Sequence, residues 1–235
     1  MLPKKQRKRR AVLEVADIVA ARKAATELGL HERALFEWLY THGARASEPG
    51  MARLDDVDLR SGRVQLVHLK GGLEPDWVPL APTCRTALEA WFKIRPERVV
   101  DPKQRDYVFP STHPGPCYPC LGSGKLTWRP KKDKATAQDK RCHHCGGTGK
   151  RWGLSRHEVR HLIEAIFARA KIPKDYWFPH VLRHTAVTHM LNTGASPPAI
   201  QERVGHKALA TTFGYMKATK AAREMVSRAF DEEPE

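Results

Sequence analysis

No apolar run in this chain approaches the roughly 18 residues that a membrane-spanning helix needs. The basic N-terminus is not followed by the apolar core of a signal peptide either, so a cytoplasmic location is expected. Cysteine is scarce, with five in 235 residues. Without a secretion signal these thiols belong to a reducing compartment, which argues against a disulfide framework. Acidic residues are also in short supply, 26 against 41 Lys and Arg, for a formal charge of +15 and an isoelectric point near 9.8. That balance favours a polyanionic partner. At this length the chain can bury a full core, as one large domain or two small ones.

The surplus charge is unevenly placed. Residues 1–10 hold six cations and no acid, Lys4, Lys5, Arg7, Lys8, Arg9 and Arg10, and are expected to form a flexible arm that meets nucleic acid. Residues 115–150 hold eight basic residues against two acidic ones. The two segments each contribute a surplus of six, twelve of the fifteen charges in all.

Four of the five cysteines lie in the second basic segment. Cys117-Tyr-Pro-Cys120-Leu-Gly-Ser-Gly124 and Cys142-His-His-Cys145-Gly-Gly-Thr-Gly149 both fit Cys-x-x-Cys-x-Gly-x-Gly. A two-residue gap lets paired thiolates grip one ion, and the glycines can take the positive-φ turn that aims amides at the sulfurs. Two such pairs complete a four-thiolate site for one structural zinc, with a redox pair or iron as the alternatives. His143 and His144 are the nearest substitute ligands. The repeat resembles one zinc-binding unit of the DnaJ cysteine-rich region. A closed four-cysteine site has no open position for water, so this metal would fold the segment and take no part in chemistry.

Elsewhere the pattern is mainly helical. Helices are predicted over Ala11–Leu28, His31–Thr41, Pro82–Ile94, Ser155–Ala170, from His180 to a stop at Gly194, over Ala199–Val204 after a Ser196 cap, and over Lys217–Phe230. Between residues 57 and 80, Val57–Leu59, Val64–Leu69 and Trp77–Leu80 read as a three-stranded antiparallel meander. Cys84, outside the paired set, reads as a small buried side chain.

The remaining signal runs from His180 to Tyr215. His180-Val-Leu-Arg183-His-Thr opens it, and Val204-Gly-His206 and Thr211-Thr-Phe-Gly-Tyr215 close it. His180 and Arg183 are one helical turn apart. Earlier, Gly43-Ala-Arg45-Ala-Ser-Glu48 places an arginine after a turn glycine with an acid three residues on, and Lys70-Gly71-Gly72 marks a hairpin turn. Each residue alone has a commonplace reading as a surface or core side chain. Together the order of these words resembles the tyrosine recombinase (phage integrase) family across nearly the whole chain, apart from the arm and the cysteine insertion.

The resemblance implies an α+β fold: a mainly helical catalytic domain over 11–235, a small three-stranded sheet, and a zinc-knuckle-like insertion at 115–150. Relatives usually place a helical core-binding domain before the catalytic one. Here the first catalytic helix starts almost at the N-terminus, so the expectation is that no such domain is present and that the arm and insertion supply part of the phosphate contact. The implied catalytic set is Arg45, Lys70, His180, Arg183, His206 and Tyr215. Two guanidiniums suit the growing charge of a five-coordinate phosphate, and Tyr215 would be the nucleophile.

The implied activity is site-specific recombination through a 3′-phosphotyrosyl intermediate, without ATP or a catalytic metal, in a mobile element. The implied partners are double-stranded DNA, a homotetramer on that DNA and an accessory protein, with the chain associated with the nucleoid. Two other readings remain: a nicking and resealing enzyme like a type IB topoisomerase, and a DNA- or partner-binding module descended from a recombinase.

Overall fold

A computed structural model describes residues 11–66, 77–118, 120–128, 138–142, 145, 147–205 and 211–212. They form two compact units, one from the described residues up to 45 together with those from 160 on, and one from those between 46 and 159. Among the described residues no helix is long and apolar enough to cross a membrane.

The first unit is helical. Helix α1 (Val15–Leu28) presents Ile18, Ala21, Ala24 and Ala25 to the interior, and the small alanines let α2 (Leu30–His42) pack closely on it. It begins four residues later than predicted. The Leu13 amide donates to Thr185 Oγ1 at 2.9 Å and the Glu14 amide to Asp17 Oδ2 at 3.0 Å, so the backbone before Val15 is tied to other partners.

Helix α2 buries Leu35, Phe36, Trp38 and Leu39, and with them Glu37. A buried carboxylate needs pairing. Arg22 supplies it through Nε at 2.5 Å and Nη2 at 3.2 Å, and Arg33 through Nη2 at 3.0 Å.

Helix α5 (His180–Asn192) packs on α2 with Val181, Leu182, Ala186, Val187 and Leu191 buried. Helix α6 (Pro197–Val204) returns against α5, sealing Ile200 and Val204 over Val187 and Leu191. Its start follows the predicted chemistry: the Ser196 side chain accepts from the Ala199 amide, and Pro197 sits in the first turn. Gly194, at φ 83, reverses the chain between the two helices.

In the second unit β1 (Val57–Asp58), β2 (Arg63–Gln65) and β3 (Trp77–Pro79) form the antiparallel meander, with Val57 opposite Val64 and Gln65 opposite Trp77. Helix α3 (Pro82–Arg98) buries Cys84, Leu88 and Trp91 and runs four residues beyond the predicted end at Ile94. Pro96 forfeits one helical bond. Arg95 holds the last turn in place, its buried guanidinium donating to the carbonyls of Tyr107 (2.8 Å from Nε) and Gln104 (3.1 Å), and also to that of Arg105.

The cysteine segment is not a plain loop. Strands β4 (Pro110–Pro116) and β7 (Lys150–Gly153) lead into and out of it and pair with each other, and β5 (Lys125–Trp128) pairs with β6 (Gln138–Arg141) inside it. Helix α4 (Arg156–Arg169) follows, and the boundary between the two units falls within it. A reciprocal cap starts it: the Glu158 amide donates to Ser155 Oγ (3.0 Å) and the Ser155 amide to Glu158 Oε2 (2.7 Å).

Candidate active site and metal centre

Gly43 closes α2 in the left-handed conformation, at φ 57. A side chain there would be strained, and its Cβ would lie 2.9 Å from Val204 Cγ1. The turn releases the chain so that Arg45, two residues on, reaches the end of α6, where its Nη2 donates to the Gly205 carbonyl at 3.0 Å. Arg183, buried on α5, uses its fork twice: Nη1 donates to the Gly43 carbonyl at 2.6 Å and Nη2 to the Val204 carbonyl at 2.7 Å.

Both guanidiniums are therefore anchored on consecutive carbonyls, 204 and 205, at the C-terminal end of α6. Helix-end carbonyls have no partner within the helix and carry partial negative charge, so cations suit them. The arrangement fixes the planes of two cations beside the turn that leads to residue 206.

His180 is the first residue of α5 and is exposed, whereas Arg183, three positions on, is buried. The His180 ring lies 6.0 Å from that of His184, edge-on at 75°. One feature of this helix carried no readable signal in the sequence. Tyr40 Oη lies 2.8 Å from His189 Nδ1, joining α2 to α5 across 149 positions. Burial lowers the His189 pKa, with a hydrogen bond to Leu13 and the charge of Glu14 acting the other way. Thr185 was visible only as the last letter of Leu-Arg-His-Thr, yet its hydroxyl holds the Leu13 amide.

The other expected site residues, Lys70, His206 and Tyr215, lie outside the described residues. So do the arm cations Lys4, Lys5, Arg7, Lys8, Arg9 and Arg10 and the alternative ligands His143 and His144.

The four paired cysteines come together as a buried cluster, their Sγ atoms all within 4.8 Å of one another. None is in a disulfide. Cys117 Sγ lies 3.8 Å from Cys142 Sγ, and Cys120 Sγ 3.8 Å from Cys145 Sγ. A tetrahedron with zinc–sulfur bonds of about 2.3 Å has edges of about 3.8 Å, so the donor set fits zinc in kind, number and spacing.

Amides face the sulfurs as the glycine pattern required, the Gly149 N–H donating to Cys145 Sγ at 3.3 Å. Burial raises the Cys120 thiol, but amide donors at Gly124 and Gly122 and the neighbouring thiols outweigh it and bring it down to about 7. Burial pushes the Cys117 thiol up.

One unit thus sets two arginines at the end of α6, and the other carries a small antiparallel meander. The fold overlays the crystal structure of XerA recombinase with a TM-score of 0.67 at 23% identity, covering 100% of this chain and 68% of that one. The post-cleavage complex of XerH site-specific recombinase with palindromic difH substrate matches with a TM-score of 0.63 at 17% identity, covering 96% of this chain and 54% of that one.

The chain belongs to the phage integrase family, which it matches over residues 11–222. It is 31% identical over 218 residues to tyrosine recombinase XerC of Myxococcus xanthus, covering 93% of this chain and 60% of that protein. It is 28% identical over 218 residues to tyrosine recombinase XerD of Listeria innocua, covering 92% and 60%. The chain thus spans about three fifths of the length of these relatives.

Proposed function

We propose that this chain is the catalytic part of a site-specific DNA recombinase that cleaves and rejoins double-stranded DNA through a phosphotyrosyl link. The observation that carries the reading is the pair of guanidiniums, Arg45 and Arg183, fixed on the consecutive carbonyls 205 and 204. Anchoring orients both cations before any phosphate arrives, and a preorganised pair stabilises charge that grows only in the transition state.

In this reading Tyr215 Oη attacks the scissile phosphorus and the bond from phosphorus to the 5′ oxygen breaks. The phenol, with an ordinary pKa of about 10, gives its proton to His180, and Lys70 protonates the departing 5′ oxygen. His206 donates a hydrogen bond to the phosphate. The 3′-phosphotyrosyl bond conserves the energy of the phosphodiester, so attack by another strand's 5′ hydroxyl reverses the steps without ATP. The complex that exchanges strands is a homotetramer on two duplexes. The arm residues 4–10 add phosphate contacts of a sequence-independent kind.

Cys117, Cys120, Cys142 and Cys145 would hold one zinc ion. Such an ion supplies cross-linking of the segment and no step of the reaction.

The test is incubation of wild type and Tyr215→Phe with nicked suicide duplexes drawn from the sequence around the native gene. A denaturation-resistant protein–DNA adduct in wild type alone is the expected result. Tight binding with no adduct under any substrate would overturn the reading and leave a binding module. An adduct accompanied by supercoil relaxation and no strand exchange would favour the topoisomerase-like alternative.

A further inference from the structure

The cysteine segment is an internal duplication. Residues 25 positions apart play the same part: Cys117 with Cys142 and Cys120 with Cys145 face each other across the cluster. The correspondence extends to the backbone. Gly122 N–H donates to the Cys117 carbonyl (3.2 Å) as Gly147 N–H does to Cys142 (3.0 Å), and Ser123 N–H donates to Cys120 (2.9 Å) as Thr148 N–H does to Cys145 (3.2 Å).

The halves are cross-tied. Cys117 N–H donates to the Gly149 carbonyl at 2.8 Å and Cys142 N–H to the Gly124 carbonyl at 2.9 Å. Strands follow the same rule, since β4 pairs with the second half's β7 and β5 with the second half's β6. The result is an approximate two-fold about the thiol cluster, in which each half completes the other's ladder.

The duplicated motif is one residue longer than a metal site requires. Each half continues into lysine, Lys125 and Lys150, which the thiol cluster does not use. Each lysine is held by its backbone to the knuckle hydroxyl. Lys125 N–H donates to Ser123 Oγ (3.2 Å), which donates to the Lys125 carbonyl (2.9 Å); Lys150 N–H and carbonyl make the same pair with Thr148 Oγ1 (3.3 and 3.2 Å). Both lysines are exposed, and neither forms an ion pair among the described residues.

A third cation joins them. Lys125 is directly opposite Arg141 in the β5–β6 ladder, and both are exposed. The Arg141 side chain lies over Gly147, where a Cβ would stand 2.7 Å from its Nε.

We infer that this duplicated module is a second, sequence-independent DNA contact, in which Lys125, Lys150 and Arg141 engage the sugar–phosphate backbone. A rigid frame that repeats an exposed lysine at both knuckles and sets an arginine opposite one of them fits a polyanion, since phosphate contacts need cations held in place and not a base-specific pattern. The inference rests on the proposed reading as a DNA-processing chain, but it concerns binding, and the experiment separates the two.

The zinc-loaded 235-residue chain is titrated with salt on a random-sequence duplex of about 30 base pairs, followed by fluorescence anisotropy. Zinc stoichiometry and thermal unfolding check that the module is intact. Each lost phosphate contact removes about 0.9 from the slope of log affinity against log salt. Lys125→Gln/Lys150→Gln should lower that slope by about 2 and weaken binding roughly ten- to a hundredfold at about 0.1 M salt. Lys125→Arg/Lys150→Arg should restore both.

If the double variant loses zinc, the single variants decide, each expected to remove about 1 from the slope. An unchanged slope in an intact module overturns the inference, and so does an unchanged slope accompanied by binding to polyglutamate, which would assign the surface to an acidic protein. A reduced slope in a protein whose wild type never forms the tyrosyl adduct keeps the inference and removes the reaction.

Discussion

Arg183 and Gly43 stand 140 positions apart, yet the Arg183 guanidinium donates to the Gly43 carbonyl at 2.6 Å while its other terminal nitrogen holds Val204. One side chain thus locks the end of α2 to the end of α6. A residue expected to clamp phosphate is at the same time a structural rivet. Loss of reaction on substituting it would therefore have two causes, which stability measurements can separate.

Arg183→Ala leaves two buried carbonyls unpaired, each costing about 1–3 kcal/mol, so urea unfolding should register a loss of roughly 3–5 kcal/mol. Arg183→Lys keeps the charge, but one ammonium cannot replace a fork that spans two carbonyls. Its stability should fall between the two while adduct formation is lost almost completely. Stability equal to wild type in Arg183→Ala would show that the fork does not hold the helix ends.

The glycines of the cysteine module divide into two kinds. A Cβ on Gly124 would meet the Gly147 carbonyl oxygen at 2.2 Å, and one on Gly149 the Gly122 carbonyl oxygen at 2.1 Å. Backbone cannot yield there without separating the halves. Gly122, also at positive φ, has nothing nearer than Pro116 Cβ at 3.6 Å. Gly124→Ala and Gly149→Ala should lose zinc retention in competition with a chromogenic chelator. Gly122→Ala should keep it, with only the roughly 1–2 kcal/mol strain of a left-handed residue. Equal loss in all three would mean that φ alone, and not the crossed backbone contact, sets the requirement.

Much of this arrangement was legible in the sequence because it rests on local rules. The Ser196 cap, the turn at Gly43 and the antiparallel order of the meander follow from short-range chemistry, and the two Cys-x-x-Cys-x-Gly-x-Gly words announce the thiol cluster. What escaped depends on long-range partners. The late start of α1 depends on Thr185, 172 positions from Leu13, and the extension of α3 on carbonyls that receive Arg95. The strands of the cysteine segment were hidden because Pro110–Pro116 carries three prolines and two small residues, which read as loop. They become a ladder only because the second half supplies the partner.

The cap of α4 makes an independent prediction. Glu158 accepts from the Ser155 amide at 2.7 Å and from Ser111 Oγ at 2.5 Å. Burial alone would raise its pKa, but the hydrogen bonds from Ser111 and Ser155 prevail and hold the carboxyl below its usual value. That stabilisation is present above the ordinary carboxylate range and is lost as pH falls through the lowered value. Glu158→Ala leaves the Ser155 amide and the Ser111 hydroxyl without this acceptor and should cost about 1–3 kcal/mol at neutral pH. It should also remove the corresponding part of the acid dependence when denaturant midpoints are compared with wild type across pH 3–7. An identical pH profile would mean that the carboxylate contributes nothing to the cap.

His189 titrates in the opposite sense to a histidine that gains an anionic partner. Its Nδ1 faces Tyr40 Oη at 2.8 Å, and burial favours the neutral ring despite the Leu13 hydrogen bond and the charge of Glu14. The folded pKa therefore lies below the ordinary value of about 6.5. Where the unfolded chain binds more protons than the folded one, stability rises with pH. This contribution is fully present above about pH 6.5 and declines as pH falls through the folded value. His189→Gln keeps an acceptor for Tyr40 and a donor for Leu13 but cannot take up a proton. Urea midpoints measured from pH 8 to pH 5 should fall less steeply for the variant than for wild type, the difference isolating this ring from every carboxylate the two proteins share. Parallel profiles would mean that the α2–α5 contact accommodates the charged ring, and the Tyr40–His189 pair would then be a packing contact without pH sensitivity.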